Sequence, residues 1–234
     1  DSYKFFSLNV SGLINCLEFC KENDTKLIFI SSYVYGKPKY LPLDESHSLQ
    51  GNNPYSETKL IGENICQAYN KYYGLKTIIL RPSNIYGPNQ DSRFLLPTIF
   101  NQAKSGKVFL KDSKPKRDYI FVDDFVDCII KIFQDTKYSF EIFNIGYGKS
   151  YSVKEIVQKV NSLYNNSLNV VFDNEIRKSE IDDNVYVASS IFVDLLMGVN
   201  LVIAIIILFI FFLFILILII KIYPVFINDI GLIY

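Results

Sequence analysis

Tyr55 and Lys59 are the residues in this chain whose types and spacing best suit proton transfer. If the segment is helical, side chains four residues apart lie on one face, with their Cβ atoms about 5–6 Å apart. An ammonium beside a phenol favours the phenolate, so Tyr55 could act as a base. The spacing also recurs at Tyr33, Tyr35 and Tyr72. On spacing alone, two solvated neighbours on a helix face are the simpler explanation.

The surroundings of Tyr55 distinguish this pair from the others. The run that follows it is long and amphipathic, and Pro54 stands near its first turn, a position that proline favours. Each of the other pairs is interrupted by a glycine or a proline. We therefore predict a helix over residues 55–73 that carries both side chains and ends at Gly74.

Two neighbouring segments would bring further polar groups to the edge of a sheet. Lys26–Ile30 is apolar on both faces, as in a central parallel strand, and Ser31 follows it. Residues 76–80 are predicted to form the next strand, which leads into a turn at 82–84. Ligands bind beyond the carboxyl ends of strands in open α/β sheets, so Ser31 and this turn are candidates for a binding site.

Arg117 ends a cluster of basic residues and stands just before a third predicted strand. Residues 119–122 are apolar enough to form a buried strand, and Asp123 would cap a helix over 124–134. The other predicted elements are helices at 7–22, 94–105 and from Ser152 to about Tyr164, and strands at 108–110, 141–145 and 170–172. Helices alternating with short strands predict an α/β fold.

Composition excludes several classes of protein. The chain has 234 residues, and its 24 basic and 24 acidic side chains give no net charge, so nothing indicates a nucleic-acid or acidic partner. The four cysteines, at 16, 20, 66 and 128, show no CxxC spacing, and we expect buried free thiols in a reducing compartment. His47 is the only histidine and is expected on the surface, so no metal site is predicted.

In their order along the chain, these segments resemble the extended short-chain dehydrogenase/reductase family. The resemblance rests on Ser31-Ser32 with Val34-Tyr35-Gly36, on Tyr55 with Lys59, on Leu80-Arg81-Pro82-Ser83-Asn84 and on Arg117-Asp118-Tyr119-Ile120. It covers roughly residues 3 to 198, and the most similar branch is the NAD-dependent nucleotide-sugar epimerases and dehydratases. It implies a partial Rossmann-like, doubly wound parallel sheet with a small α/β substrate lobe.

The resemblance implies a role for each matched residue. Tyr55 would take a proton from a sugar hydroxyl, Ser31 would hydrogen-bond that oxygen, and Lys59 would hold the nicotinamide ribose. NAD would accept the hydride, giving a transient keto-sugar. Pro82 and Ser83 would contact the nicotinamide, although simple turn chemistry would also explain Pro82 and Asn84.

Asn84 and Arg117 would bind the substrate, which is expected to be a UDP-linked sugar. A planar guanidinium suits the bidentate binding of a pyrophosphate, although a solvated charge run is the alternative for Arg117. A dehydratase of the dTDP-glucose type would carry Asp-Glu where Ser32 and Tyr33 stand. An epimerase is therefore favoured, with a dehydratase, decarboxylase or reductase of the same family as alternatives.

The resemblance also implies a division of the chain. Residues 1–90, joined by 119–145, would form part of the NAD-binding domain, and 91–118 with 146–198 would form the substrate lobe. It allows a homodimer through the helix that carries Tyr55, and it implies a cytoplasmic location.

The glycine-rich phosphate loop of this family is not found in the sequence. No G-x-x-G-x-x-G or G-x-G-x-x-G occurs, and Gly146-Tyr147-Gly148 is better explained as a turn before a helix. We therefore expect an incomplete dinucleotide-binding domain that does not bind NAD tightly by itself. A non-catalytic, membrane-tethered remnant is the rival interpretation.

The tail of the chain is unlike the rest. Residues 201–220 contain no polar side chain, and 20 apolar residues match the thickness of a bilayer. The segment predicts an apolar C-terminal helix that could attach the protein to a membrane. A frameshift in AT-rich DNA is an equal alternative, because the tail consists mostly of residues with AT-rich codons.

Overall fold

The computed structural model describes residues 2–173 and 185–188. All of them belong to one unit of the chain, Asp1–Phe192. The predicted apolar helix at 201–220 and the end of the predicted substrate lobe at 189–198 lie outside the described residues. Within the described ranges, no helix is both long and apolar enough to cross a membrane.

Six α-helices and eight strands make up the described part of the chain. The helices are α1 (Ser2–Phe6), α2 (Gly12–Glu22), α3 (Pro54–Tyr73), α4 (Leu95–Ala103), α5 (Val122–Gln134) and α6 (Val153–Leu163), with a π-helical turn (Ser7–Ser11) between α1 and α2. The strands are β1 (Leu27–Ile30), β2 (Thr77–Pro82), β3 (Asn84–Tyr86), β4 (Lys107–Leu110), β5 (Lys116–Phe121), β6 (Phe140–Ile145), β7 (Ser150–Ser152) and β8 (Asn169–Phe172).

The main sheet has three parallel strands in the order β1-β2-β6. Strand β2 is buried along its whole length, because it has a partner on each side and helices packed nearby. Leu17 of α2, Phe29 of β1, Cys66 of α3 and Ile79 of β2 share one apolar core. The predicted α/β class with a parallel sheet is confirmed.

Strand β1 differs from the prediction that both of its faces are buried. Within the described residues it pairs only with β2, so its other edge is open. Phe29 is buried against α3, but 42% of Ile30 is exposed. One face of β1 is therefore covered, while its last residue, Ile30, is exposed to solvent.

Two smaller sheets complete the described part. Strands β3 and β5 are parallel and β7 joins β5 antiparallel, while β4 and β8 form a parallel pair. Helices α4 and α6 pack on the β4–β8 pair around a second apolar core that includes Ile99, Val108 and Val157.

Helix α3 begins and ends where its sequence predicts. The Asn53 side chain accepts a hydrogen bond from the Ser56 backbone N–H at 2.9 Å, and Pro54 occupies the first helical position. Gly74 ends the helix with a left-handed φ of 69°. Gly62 lets the helix approach β1 closely, since a Cβ there would lie 2.6 Å from Cζ of Phe29.

Several local predictions were wrong. Asp123 does not cap α5, which begins at Val122, two residues earlier than predicted, with Phe121 at the N-cap. The first helical segment begins at Ser2 instead of residue 7. Cys16 is exposed, although the other three cysteines are buried, and burial raises the pKa of the Cys66 thiol to about 12.

His47 is buried, with 2% of its surface exposed, and not on the surface as predicted. Its Nε2 accepts a hydrogen bond from the Lys39 backbone N–H at 2.9 Å, and its Nδ1 lies 2.9 Å from the Ser48 carbonyl oxygen. The rings of Tyr35 and Tyr40 pack against it. A polar loop can bury a histidine when its backbone satisfies both ring nitrogens.

Candidate active site

A cavity of about 160 Å³ lies where β2 gives way to β3. Four of the seven predicted site residues line it: Pro82, Ser83, Asn84 and Arg117. Its other lining residues are Ser32, Tyr33, Asp118, Val185 and Val187. We call it the first cavity. Ser31, Tyr55 and Lys59 are not among its lining residues.

A second cavity, of about 210 Å³, also has Arg117 in its lining. It is lined by residues of α4 and α6, of β4 and β5, and of the segments before α4 and after β4, namely Arg93, Leu95, Thr98, Leu110, Lys111, Asp112, Pro115, Arg117, Tyr119 and Val153. Arg117 borders both cavities, and its Nη1 donates a hydrogen bond to the Lys116 carbonyl oxygen at 2.8 Å. A ligand that occupies both cavities would therefore lie beside Arg117.

Tyr55 and Lys59 lie together beside the end of β1, as their spacing predicts. The Lys59 Nζ donates to the Ile30 carbonyl oxygen at 2.9 Å and lies 5.7 Å from the centre of the Tyr55 ring. Burial lowers the pKa of the Lys59 ammonium. Tyr55 is 39% exposed, so the residue is partly accessible to a ligand.

Ser31 is held inside the protein, with 3% of its surface exposed. Its hydroxyl donates to Oε1 of Glu63 at 2.5 Å. Glu63 also forms a buried, bidentate ion pair with Arg81, whose Nε and Nη2 donate at 3.0 and 2.6 Å. The predicted roles of Ser31, Tyr55 and Lys59 remain predictions.

Glu63 and Arg81 are residues that the sequence analysis did not select. Glu63 follows Tyr55 and Lys59 at the same four-residue spacing, which places all three on one face of α3. A carboxylate on the buried face of a helix needs a partner, and that pattern could have identified it. The partner could not be read from the sequence, since Arg81 lies 18 residues away.

Asp118 organises the wall of the first cavity. One carboxylate oxygen accepts from the backbone N–H of Tyr147 at 2.8 Å, and the other accepts from Gly148 at 2.9 Å and Val187 at 3.3 Å. The Ser83 hydroxyl lies 3.4 Å from the first oxygen. Burial raises the pKa of the Asp118 carboxyl, although these hydrogen bonds oppose the increase.

Asp118→Asn is expected to destabilise the fold by about 1–3 kcal/mol, because an amide NH₂ would face buried backbone donors that need an acceptor. Urea unfolding of the two proteins, followed by circular dichroism, measures the difference. Asp127→Asn, on the exposed side of α5, is the control and should change stability by less than about 0.5 kcal/mol. Equal stability of the Asp118 variant and the native chain would contradict this account of the loop.

Within the part of the chain that the structure describes, no group of three or more histidine, cysteine, aspartate or glutamate side chains could hold a metal ion.

Residues 1–146 match the NAD dependent epimerase/dehydratase family. The UDP-glucose 4-epimerase of Lactobacillus helveticus is 34% identical over 178 residues, a match that covers 66% of this chain and 54% of the relative. The UDP-glucose 4-epimerase 2 of rice is 33% identical over 180 residues, which is 44% of that relative. The chain therefore spans about half the length of the curated relatives that it matches.

Solved structures agree with this assignment. The fold matches the dTDP-glucose 4,6-dehydratase of Bacillus anthracis in complex with NAD, with a TM-score of 0.68 and 29% identity over 80% of this chain and 60% of that one. The UDP-glucose 4-epimerase of Thermotoga maritima with UDP-glucose gives a TM-score of 0.73 and 25% identity, over 81% of this chain and 63% of that one. The family match covers more than half of the sequence and the fold agrees with it, so the chain belongs to the NAD-dependent epimerase/dehydratase family.

Proposed function

We propose that this chain carries the nucleotide-sugar site and the proton-transfer residues of an NAD-dependent nucleotide-sugar epimerase. The observation that supports it most is that Arg117 lines both cavities. A nucleotide-sugar has its two negative charges in the middle, between a sugar and a nucleoside. An arginine shared by two cavities suits that order.

The lining of each cavity suits one end of such a ligand. The first cavity offers the hydroxyls of Ser32 and Ser83 and the amide of Asn84, which are groups that hydrogen-bond sugar hydroxyls. The second cavity combines apolar walls, such as Leu95 and Leu110, with the basic Lys111. We assign the sugar to the first cavity and the nucleoside, taken to be uridine, to the second.

Proton transfer is assigned to Tyr55. Its phenol would take the proton of a sugar hydroxyl, giving a keto-sugar once the hydride has left the carbon, and would return the proton when the sugar is reduced again. The Lys59 ammonium lies beside the ring, 5.7 Å from its centre. Ser31, which directly precedes the cavity-lining Ser32, would contact the same sugar oxygen.

The residues present fit one end of NAD. Lys59, beside the end of β1, can donate to a ribose hydroxyl, and Pro82 and Ser83 border the first cavity where a nicotinamide would meet the sugar. When bound, NAD supplies the acceptor for the hydride. The sequence contains no glycine-rich motif for the pyrophosphate, so we assign only the nicotinamide end to these residues.

Epimerisation is favoured over dehydration at this site. Ser32 and Tyr33 line the first cavity, at the positions where the resemblance places Asp-Glu in a dTDP-glucose dehydratase. Elimination of water needs an acid and a base beside the sugar. Two hydroxyl side chains supply neither as readily as a pair of carboxyl groups.

Arg117→Ala is expected to weaken the binding of UDP-glucose about 10- to 100-fold, because a charge-assisted, bidentate contact with the pyrophosphate is lost. Calorimetric titration of the 234-residue chain measures the change. Uridine, which lacks the pyrophosphate, should bind the native and variant proteins equally.

Lys104→Ala removes an exposed positive charge just after α4 and is the control for a general change in charge. It should leave both affinities unchanged. If Arg117→Ala weakened uridine and UDP-glucose equally, Arg117 would be a structural residue, and failure of the native chain to bind UDP-glucose would reject the proposed function.

A further inference from the structure

Glu63 lies at the centre of a fully buried polar network. Its carboxylate accepts from the Ser31 hydroxyl at 2.5 Å and from two nitrogens of Arg81. The exposed fractions of Ser31, Glu63 and Arg81 are 3%, 5% and 2%. Although burial alone would lower it, the contacts with Glu63 and with the phenol of Tyr35 hold the pKa of Arg81 above its ordinary value.

The network continues into two other elements. The remaining Arg81 nitrogen, Nη1, donates to the Tyr35 hydroxyl at 3.0 Å, and that hydroxyl donates to the Asn144 side chain in β6. The Asn144 Nδ2 in turn donates to the Leu43 carbonyl oxygen at 3.0 Å. The network therefore ties α3, the ends of all three strands of the main sheet and the loop after β1 into one arrangement.

The direction of these hydrogen bonds fixes what Ser31 can do. A serine hydroxyl has one proton, and here that proton points to Glu63. The Ser31 oxygen can therefore accept a hydrogen bond from an incoming group but has no proton to donate to it. Glu63 also lies two turns beyond Tyr55 on the same face of α3. The contact between Glu63 and Arg81 therefore helps to hold both the Ser31 hydroxyl and the face of α3 that carries Tyr55.

We propose that Glu63 is a positioning residue, held by Arg81, that keeps the Ser31 hydroxyl turned so that its oxygen accepts a hydrogen bond from a sugar hydroxyl of the substrate. This proposal rests on the proposed function, in which Ser31 contacts the sugar. Glu63 itself does not contact the substrate. It acts through Ser31, so its loss should affect recognition of the sugar and spare recognition of the nucleotide.

Two double variants of the full chain separate this role from a general effect on the fold. Arg81→Met with Glu63→Gln removes both charges but leaves an amide oxygen that can accept the Ser31 proton. Arg81→Met with Glu63→Met removes both charges and the acceptor. Both avoid an uncompensated buried charge, so both should fold, which circular dichroism will verify.

Calorimetric titrations with UDP-glucose and with UDP provide the readout. The Arg81→Met/Glu63→Met variant should lose about tenfold in affinity for UDP-glucose, which is the scale of one hydrogen bond, and its affinity for UDP should not change. The Arg81→Met/Glu63→Gln variant should keep most of its affinity for UDP-glucose. Equal losses in the two double variants, or equal losses for the two ligands, would overturn the positioning role while leaving the proposed function intact.

Ser31→Ala provides a second test that leaves the ion pair in place. It should show the same loss of affinity for UDP-glucose, with no loss for UDP, as the Arg81→Met/Glu63→Met variant. Ser31→Thr, which keeps the hydroxyl, should retain much of the affinity for UDP-glucose. Native affinity for UDP-glucose in Ser31→Ala would overturn the inference even if neither double variant folded. If the native chain binds neither UDP-glucose nor UDP, the proposed function fails and the inference fails with it.

Discussion

Replacing Tyr55 with phenylalanine is expected to lower the turnover of UDP-glucose by two or more orders of magnitude, the usual scale for losing general acid–base catalysis. The variant removes only the phenolic oxygen, so the ring keeps its contacts with Phe5 and with the Lys59 ammonium. Binding of UDP-glucose should therefore be unchanged. A loss confined to turnover would identify Tyr55 as the group that moves the proton.

Epimerisation is to be measured with excess NAD in two proteins. One is the 234-residue chain, and the other is this chain fused to the C-terminal end of the preceding residues of the Lactobacillus helveticus relative, because the match covers 54% of that relative. Tyr72→Phe is the matched control. Tyr72 has a lysine at the same spacing but is 70% exposed at the end of α3, so its variant should have native turnover. Near-native turnover in Tyr55→Phe would remove this residue from the mechanism.

The parts of the fold that the sequence predicted well depend on neighbouring residues. Asn53, Pro54 and Gly74 define α3 through contacts within one helical turn of each end. The capping box of Ser152 and Glu155 likewise begins α6 through local contacts. Such contacts are visible in the sequence because both partners lie within about four residues of each other.

The contacts of the candidate site that the sequence did not reveal concern partners that are distant in the sequence. Ser31 and Glu63 are 32 residues apart, and Asp118 meets Tyr147 across 29. Burial of His47 depends on how its loop folds over Tyr35 and not on the local polarity. Spacing could place Tyr55 beside Lys59, but the direction in which Ser31 donates its proton required the tertiary structure.

Arg81→Met is expected to cause the largest loss of stability, about 3–5 kcal/mol, because it leaves the Glu63 carboxylate buried without its partner. The methionine fills much of the space of the arginine stem, so the loss would come mainly from charge and hydrogen bonding. It would also leave the Tyr35 hydroxyl without the donor that lies 3.0 Å away. Urea unfolding at neutral pH measures the difference.

A second substitution identifies the cause of that loss. Adding Glu63→Met should recover part of the lost stability. Arg93→Met breaks the ion pair with Asp91 on the surface, where the arginine side chain is 86% exposed, and should cost less than about 1 kcal/mol. If Arg81→Met were no more costly than Arg93→Met, the buried pair would not be what holds α3 against the ends of the strands.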